Sequence, residues 1–145
     1  MFKKEGKEMG QLVRTFPLTG YPTESQEIMF KIVKFFEDNL IKVIKYKGSY
    51  SITDKFSATV IKVICTIGSD FSLSGAGVAV LFRKELLEKD LNKVNEIFPF
   101  LKINSVSLTV GGGNYEDFYY TRIDSEEMFN DKSEDILGLG KKILN

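Results

Sequence analysis

The chain has 145 residues, 43% of them apolar and 28% charged, with three prolines, which fits one globular domain and excludes a disordered, collagenous or low-complexity polypeptide. Its 20 basic and 20 acidic side chains cancel, so no global field draws it to nucleic acid or to an anionic bilayer. It has no histidine, which excludes Ser-His-Asp and Cys-His catalysis and every histidine-containing zinc site.

Residues 1–22 combine a charged start with Gly6, Gly10, Gly20, Pro17 and Pro22, and read as an N-terminal arm in which Gln11 to Phe16 forms a short edge strand. No apolar stretch follows the charged Met1 to Lys7, so a secretory leader is not expected and the cytoplasm is the expected compartment. No apolar run approaches the roughly 20 residues needed to span a bilayer. Residues 23–145 read as a single domain. Thr23 and Gln26 make a capping box ahead of Ile28, Met29, Ile32, Val33, Phe36 and Leu40, which recur at helical spacing, with Phe35 widening the stripe.

Ile41 to Tyr46 alternates apolar residues with lysines and predicts a half-buried strand, whereas Gly48 to Asp54 is polar and turn-like. Phe56 to Ile67 is dense in β-branched residues and apolar on both faces, the pattern of a central strand. Cys65 lies inside that run and reads as a small buried hydrophobe; as the only cysteine it forms no internal disulfide. Gly68 to Gly77 predicts a Gly/Ser loop and Val78 to Phe82 a second buried strand. Arg83 to Phe98 returns to helical spacing, with Leu87, Leu91, Val94 and Phe98 on one stripe, until Pro99 stops it.

Val106, Leu108 and Val110 alternate with Ser105, Ser107 and Thr109, and Gly111 to Asn114 turns the chain into Tyr115 to Ile123, which predicts a hairpin. Asp124 and Glu127 then open a terminal helix whose stripe is Ile136, Leu139 and Ile143, interrupted by Gly138 and Gly140. Helices separated by short runs of strands predict a single α+β domain: an antiparallel or mixed sheet of about five to six strands with helices packed on it, loosely ferredoxin-like. The order helix, three strands, helix, two strands resembles that of small phage tail-completion proteins, and the resemblance implies a structural subunit that builds rings.

The motifs for chemistry are sparse. Gly75-Ala76-Gly77 has Val80 where the dinucleotide fingerprint requires a third glycine, and the loop precedes a strand, not a helix. The carboxylates from Glu116 to Asp135 match no calcium-loop or two-metal spacing and read as a solvated acidic face. No cofactor, metal site or catalytic residue is expected. The charge distribution is uneven: residues 1–62 carry 11 basic and 7 acidic side chains, residues 114–145 carry 4 and 8. Lys42, Lys45, Lys47, Lys55 and Lys62 are opposed only by Asp54. Placed on opposite faces, the two sets favour head-to-tail association.

The candidate interaction surface is the aromatic strand of the hairpin: Tyr115, Phe118, Tyr119, Tyr120 and Arg122. Alternation sends Phe118, Tyr120 and Arg122 to one face and Tyr119 to the other, so at least one tyrosine ring is expected near solvent, where Tyr and Arg serve well as interface anchors. The functional expectation is therefore a non-enzymatic protein-binding or self-assembly module, its partner a protein or a second copy and neither membrane nor nucleic acid. The alternative is a small-molecule sensor or sequestering protein with a pocket between helix and sheet.

Overall fold

The computed structural model describes residues 11–12, 17–46, 48–66, 76–88, 102–111 and 114–144. In chain order these form β1 (Gln11–Leu12), a 3-10 turn (Leu18–Gly20), α1 (Thr23–Asp38), β2 (Ile44–Lys45), β3 (Ser49–Thr53), β4 (Thr59–Thr66), β5 (Gly77–Arg83), α2 (Lys84–Leu87), β6 (Lys102–Gly111), β7 (Asn114–Arg122) and α3 (Glu126–Leu144). The strands make one sheet in the order β1-β6-β7-β5-β4-β3-β2. Its five longer strands are antiparallel throughout, with two-residue β2 antiparallel at one edge and two-residue β1 parallel at the other. The expected α+β class holds. The finer, ferredoxin-like expectation is not confirmed: β2 to β5 lie side by side in chain order, while β5 and β6 run parallel to each other on either side of β7.

The apolar stripe of α1 dictates which face it buries. Ile28, Met29, Ile32, Val33 and Phe36 pack with Ile136, Leu137 and Leu139 of α3 on one face of the sheet, against Ile61, Val63, Cys65, Val78, Val80, Phe82 and Tyr119. Strand alternation sends Ile64, Ala79, Leu81, Phe118 and Tyr120 to the other face, where they form a second buried cluster. Strand β4 is buried along its whole length, as its continuous β-branched run predicts. Gly140 is the contact that lets α3 close on the sheet. A β-carbon there would lie 3.3 Å from Ile61 Cδ1 and 3.5 Å from Phe36 Cε1, so the glycine that interrupts the helical pattern is a packing residue.

Several local expectations change. Pro22, not Thr23, caps α1; the Gln26 side chain instead donates to the Tyr21 carbonyl at 2.9 Å. At α3 the cap is Ser125, whose hydroxyl accepts the Met128 N–H at 3.2 Å, because Asp124 is engaged elsewhere. The stretch expected to be turn-like, Gly48 to Asp54, contains β3: Tyr50 and Ile52 join the helix-side core while Ser49 and Ser51 take the opposite face. The expected strand Ile41 to Tyr46 contracts to Ile44–Lys45. Of the arm, β1 is described and residues 1–10 and 13–16 are not; the Gly/Ser loop over 67–75 and the second helix beyond Glu88 also lie outside the described residues.

Phe36 is fully enclosed between α3 and β4. Phe36→Ala is expected to cost about 3–5 kcal/mol of folding stability, read as a lowered midpoint in urea denaturation.

Candidate functional site

The hairpin residues singled out in the sequence are placed by β7. The rings of Tyr119 and Tyr120 are each only 4% exposed and Phe118 is fully buried, so the expectation of a tyrosine ring near solvent is corrected at both described tyrosines. The reason is that β7 is an interior strand between β6 and β5, covered on both faces. Alternation does distribute the rings as expected, with Tyr119 on the helix side and Phe118 and Tyr120 opposite. Burial, with the carboxylates of Glu88 and Asp117, pushes the Tyr119 phenol above its ordinary pKa. Tyr115 lies on β7, but its side chain is outside the described set.

Arg122 is half-buried and structural. Its Nε donates to Asp124 Oδ2 at 2.8 Å and its Nη2 to Thr66 Oγ1 at 3.0 Å, while Asp124 Oδ1 accepts the Val78 N–H at 3.2 Å. The same region needs Gly77, since a β-carbon there would collide with the Asp124 carboxylate. Lys132 of α3 donates to Thr121 Oγ1 and to the Arg122 carbonyl, and Arg83 pairs with Glu116 at 2.9 Å. The acidic residues are thus partly spent on internal ties: Glu116 to Arg83, Asp124 to Arg122, Glu126 to Lys31.

The structure exposes a polar group that the sequence reading missed. Lys62 is only 8% exposed in the middle of β4, and its Nζ donates to Ser51 Oγ at 3.0 Å and to Ser49 Oγ at 3.3 Å, with the Tyr46 ring centre 5.3 Å away. Among the described residues no carboxylate pairs with it, and burial pushes its pKa below the ordinary lysine value. An amine of lowered pKa beside a serine hydroxyl is the arrangement that activates a serine nucleophile. Ser51, however, is completely shielded from solvent, so no substrate carbonyl reaches it in this conformation. Cys65 is likewise closed off: burial raises its thiol to about 11 and its Sγ lies 3.7 Å from Met29 Sδ.

What the molecule presents outward lies where the C-terminal ends of α1 and α3 meet the β3–β4 turn. There a cleft of about 670 Å³ is lined by Asn39, Leu40, Ile41, Lys42, Ile52 and Thr53, by Asp54, Lys55 and Ser57 of the turn, and by Lys141 and Leu144 of α3. The α1 end is a Schellman arrangement: Leu40 N–H donates to the Glu37 carbonyl at 3.0 Å and Ile41 N–H to the Phe36 carbonyl at 3.0 Å. The left-handed position of that motif, normally glycine, holds Leu40 at φ 65°, and the leucine is 96% exposed. Helical spacing assigned Leu40 to the core stripe; the early stop at Asp38 turns it outward instead.

The neighbouring turn is tied by Asp54, whose Oδ1 accepts the Phe56 and Ala58 amides at 2.8 and 3.0 Å. This fixes Lys55 and Phe56 at the tip, with Phe56 78% exposed and Lys55 Nζ 5.2 Å from its ring centre. Lys42, Lys55 and Lys141 take part in no ion pair among the described residues. The result is a basic cleft flanked by two large apolar side chains, one of them held in a strained backbone conformation.

Two outcomes are expected for the Lys62 network. Ser51→Ala, which removes the nearer hydroxyl from a buried ammonium, costs about 1–3 kcal/mol in urea denaturation at neutral pH. Because the folded state binds the Lys62 proton less tightly than the unfolded chain, wild type gains stability relative to Lys62→Met as pH rises toward about 10.4, the ordinary lysine value. Paired denaturation series across the alkaline range measure this slope.

Comparison with protein-family models, with curated proteins and with solved structures finds no match, which leaves the geometry of the cleft and its rim as the basis for a functional reading.

Proposed function

We propose that this chain is a non-enzymatic self-assembly module, and that its docking surface is the basic cleft rimmed by Leu40 and Phe56, in place of the aromatic hairpin. The observation that carries this reading is Leu40. A left-handed backbone costs a leucine about 1–2 kcal/mol relative to glycine, and the residue recovers none of it through burial within its own chain. Strain retained at an exposed apolar side chain is the mark of a residue kept for what it touches in a partner. Phe56, at the tip of the turn whose Asp54, Lys55 and Ser57 line the cleft, is a second exposed apolar side chain, and three lysines supply charge.

Two further points support the reading. The arginines of β5 and β7, their carboxylate partners and the described aromatic rings of β7 are occupied in holding the sheet together, which directs attention from the hairpin to the cleft. The thiol of Cys65 is free and buried, which suits a reducing compartment, and the proposal takes that compartment to be the cytoplasm. No described helix is long and apolar enough to cross a membrane. A second reading, a sensor or sequestering protein for a small anionic molecule, draws on the cleft volume, which falls within the range of ligand pockets.

The test separates function from folding. Leu40→Gly relieves the left-handed leucine and is expected to raise folding stability by about 1 kcal/mol while weakening association. Sedimentation velocity over the micromolar to millimolar range is expected to show concentration-dependent association for wild type, and none for Leu40→Gly combined with Phe56→Ser. A wild-type chain that remains monomeric throughout overturns the proposal; stabilisation of that monomer by polyphosphate in a thermal-shift series would then favour the ligand reading.

A further inference from the structure

Building on the docking surface proposed above, we infer that the occupant of the basic cleft is a second copy of this chain, which presents the acidic N-terminal half of its α3, so that copies associate head to tail. The inference starts from the spacing of one helix stripe. Glu127, Asp131 and Glu134 fall at intervals of four and three residues, which aligns them along one side of α3, and all three are exposed. Continuing the same stripe by four and then three residues passes exposed Gly138 and reaches exposed Lys141, which lines the cleft. One solvent-facing line of a single helix therefore runs from three acids to the basic cleft.

None of the three acids forms an ion pair among the described residues, and neither does any of the three cleft lysines. The nearby Glu126 is different, because Lys31 of α1 holds it. The two unpaired sets do not neutralise each other within the chain. From Glu134, the nearest of the three acids, to Lys141 the helix rises about 10.5 Å, beyond the Debye length of about 8 Å at physiological salt. Glu127 in the first turn and Lys141 in the last complement the helix dipole, an effect that fades within one turn and leaves the side-chain charge available.

A second copy brings the sets together. Its acidic stripe is convex and borne on a rigid helix; the cleft is concave and takes its lysines from three separate elements, the end of α1 with Lys42, the β3–β4 turn with Lys55, and α3 with Lys141. Leu40 and Phe56 then lie against the methylene stems of the incoming glutamates, losing the exposure they have in the isolated chain. The two contact surfaces differ, so the contact is heterologous, and its repetition closes into a ring or extends as a filament according to the rotation it imposes.

The experiment uses two full-length variants. One neutralises the cleft (Lys42→Ser, Lys55→Ser, Lys141→Ser) and the other the stripe (Glu127→Gln, Asp131→Asn, Glu134→Gln); circular dichroism and thermal melting confirm that each folds, and a third variant with all three lysines changed to arginine keeps the charge. Wild type and the arginine variant are expected to assemble, and to assemble less as sodium chloride is raised. Each neutral variant alone is expected to stay monomeric, whereas an equimolar mixture forms a one-to-one dimer that grows no further, since each copy retains one working end. Assembly of wild type with continued assembly of the stripe variant, or with a mixture that stays monomeric, overturns the head-to-tail partner and leaves the docking surface standing. A wild type that never assembles overturns both.

Discussion

Strand β4 is the constraint from which most of the molecule follows. It is hydrogen-bonded on both sides and covered on both faces, so every side chain from Thr59 to Thr66 leaves water at once. For the apolar members this is favourable, at roughly 25 cal/mol for each Å² removed from solvent. For Lys62 it is not, and β3 answers with two serines in register: Ser51 stands opposite Lys62 and Ser49 opposite Ile64. On the helix side the same strand brings Ile61 so close to α3 that a β-carbon at position 140 would make a tight contact with it. A polar pair on one face and a missing side chain on the other are thus two consequences of a single buried strand.

The same economy governs charge. Arginines of the sheet are paired with carboxylates, Arg83 across strands with Glu116 and Arg122 with Asp124 two residues along the chain, where partial burial makes an unpaired group costly. The exposed charges of α3 face no such penalty: Glu127, Asp131 and Glu134 in its first half and Lys141 in its last turn are in no ion pair among the described residues. Inner charges thus stabilise the sheet, while the outer charges of α3 face solvent.

The legible parts of the fold were those in which a periodic apolar pattern ran uninterrupted. Val106 to Val110 against Ser105 to Thr109 marked the hairpin, and the stripe from Ile28 to Phe36 marked α1. Errors arose where a local pattern had two meanings. Ser-Tyr-Ser-Ile-Thr at 49–53 is polar enough to pass for a turn, yet alternates as a strand must, and only the lysine it faces across the sheet explains its serines. Leu40 continues the helical period, but the chain leaves the helix two residues earlier, which no apolar spacing reports. The aromatic strand was placed correctly and its faces assigned correctly; its burial was missed because interior position in a sheet depends on strand order, a long-range property. The cleft was not legible as a site at all, since Lys42, Lys55 and Lys141 come together only after two helix ends and a turn converge.

The sheet's outer margin beside β3 bears on how copies of this chain keep apart when they should. Strand β2 offers only Ile44 and Lys45 to a neighbour before the chain departs, and Lys45 puts a charge on the rim. A margin so short and so charged is a poor template for backbone pairing. Sheets from different molecules therefore have little to zip together along this side, which disfavours the irreversible stacking that leads to amyloid.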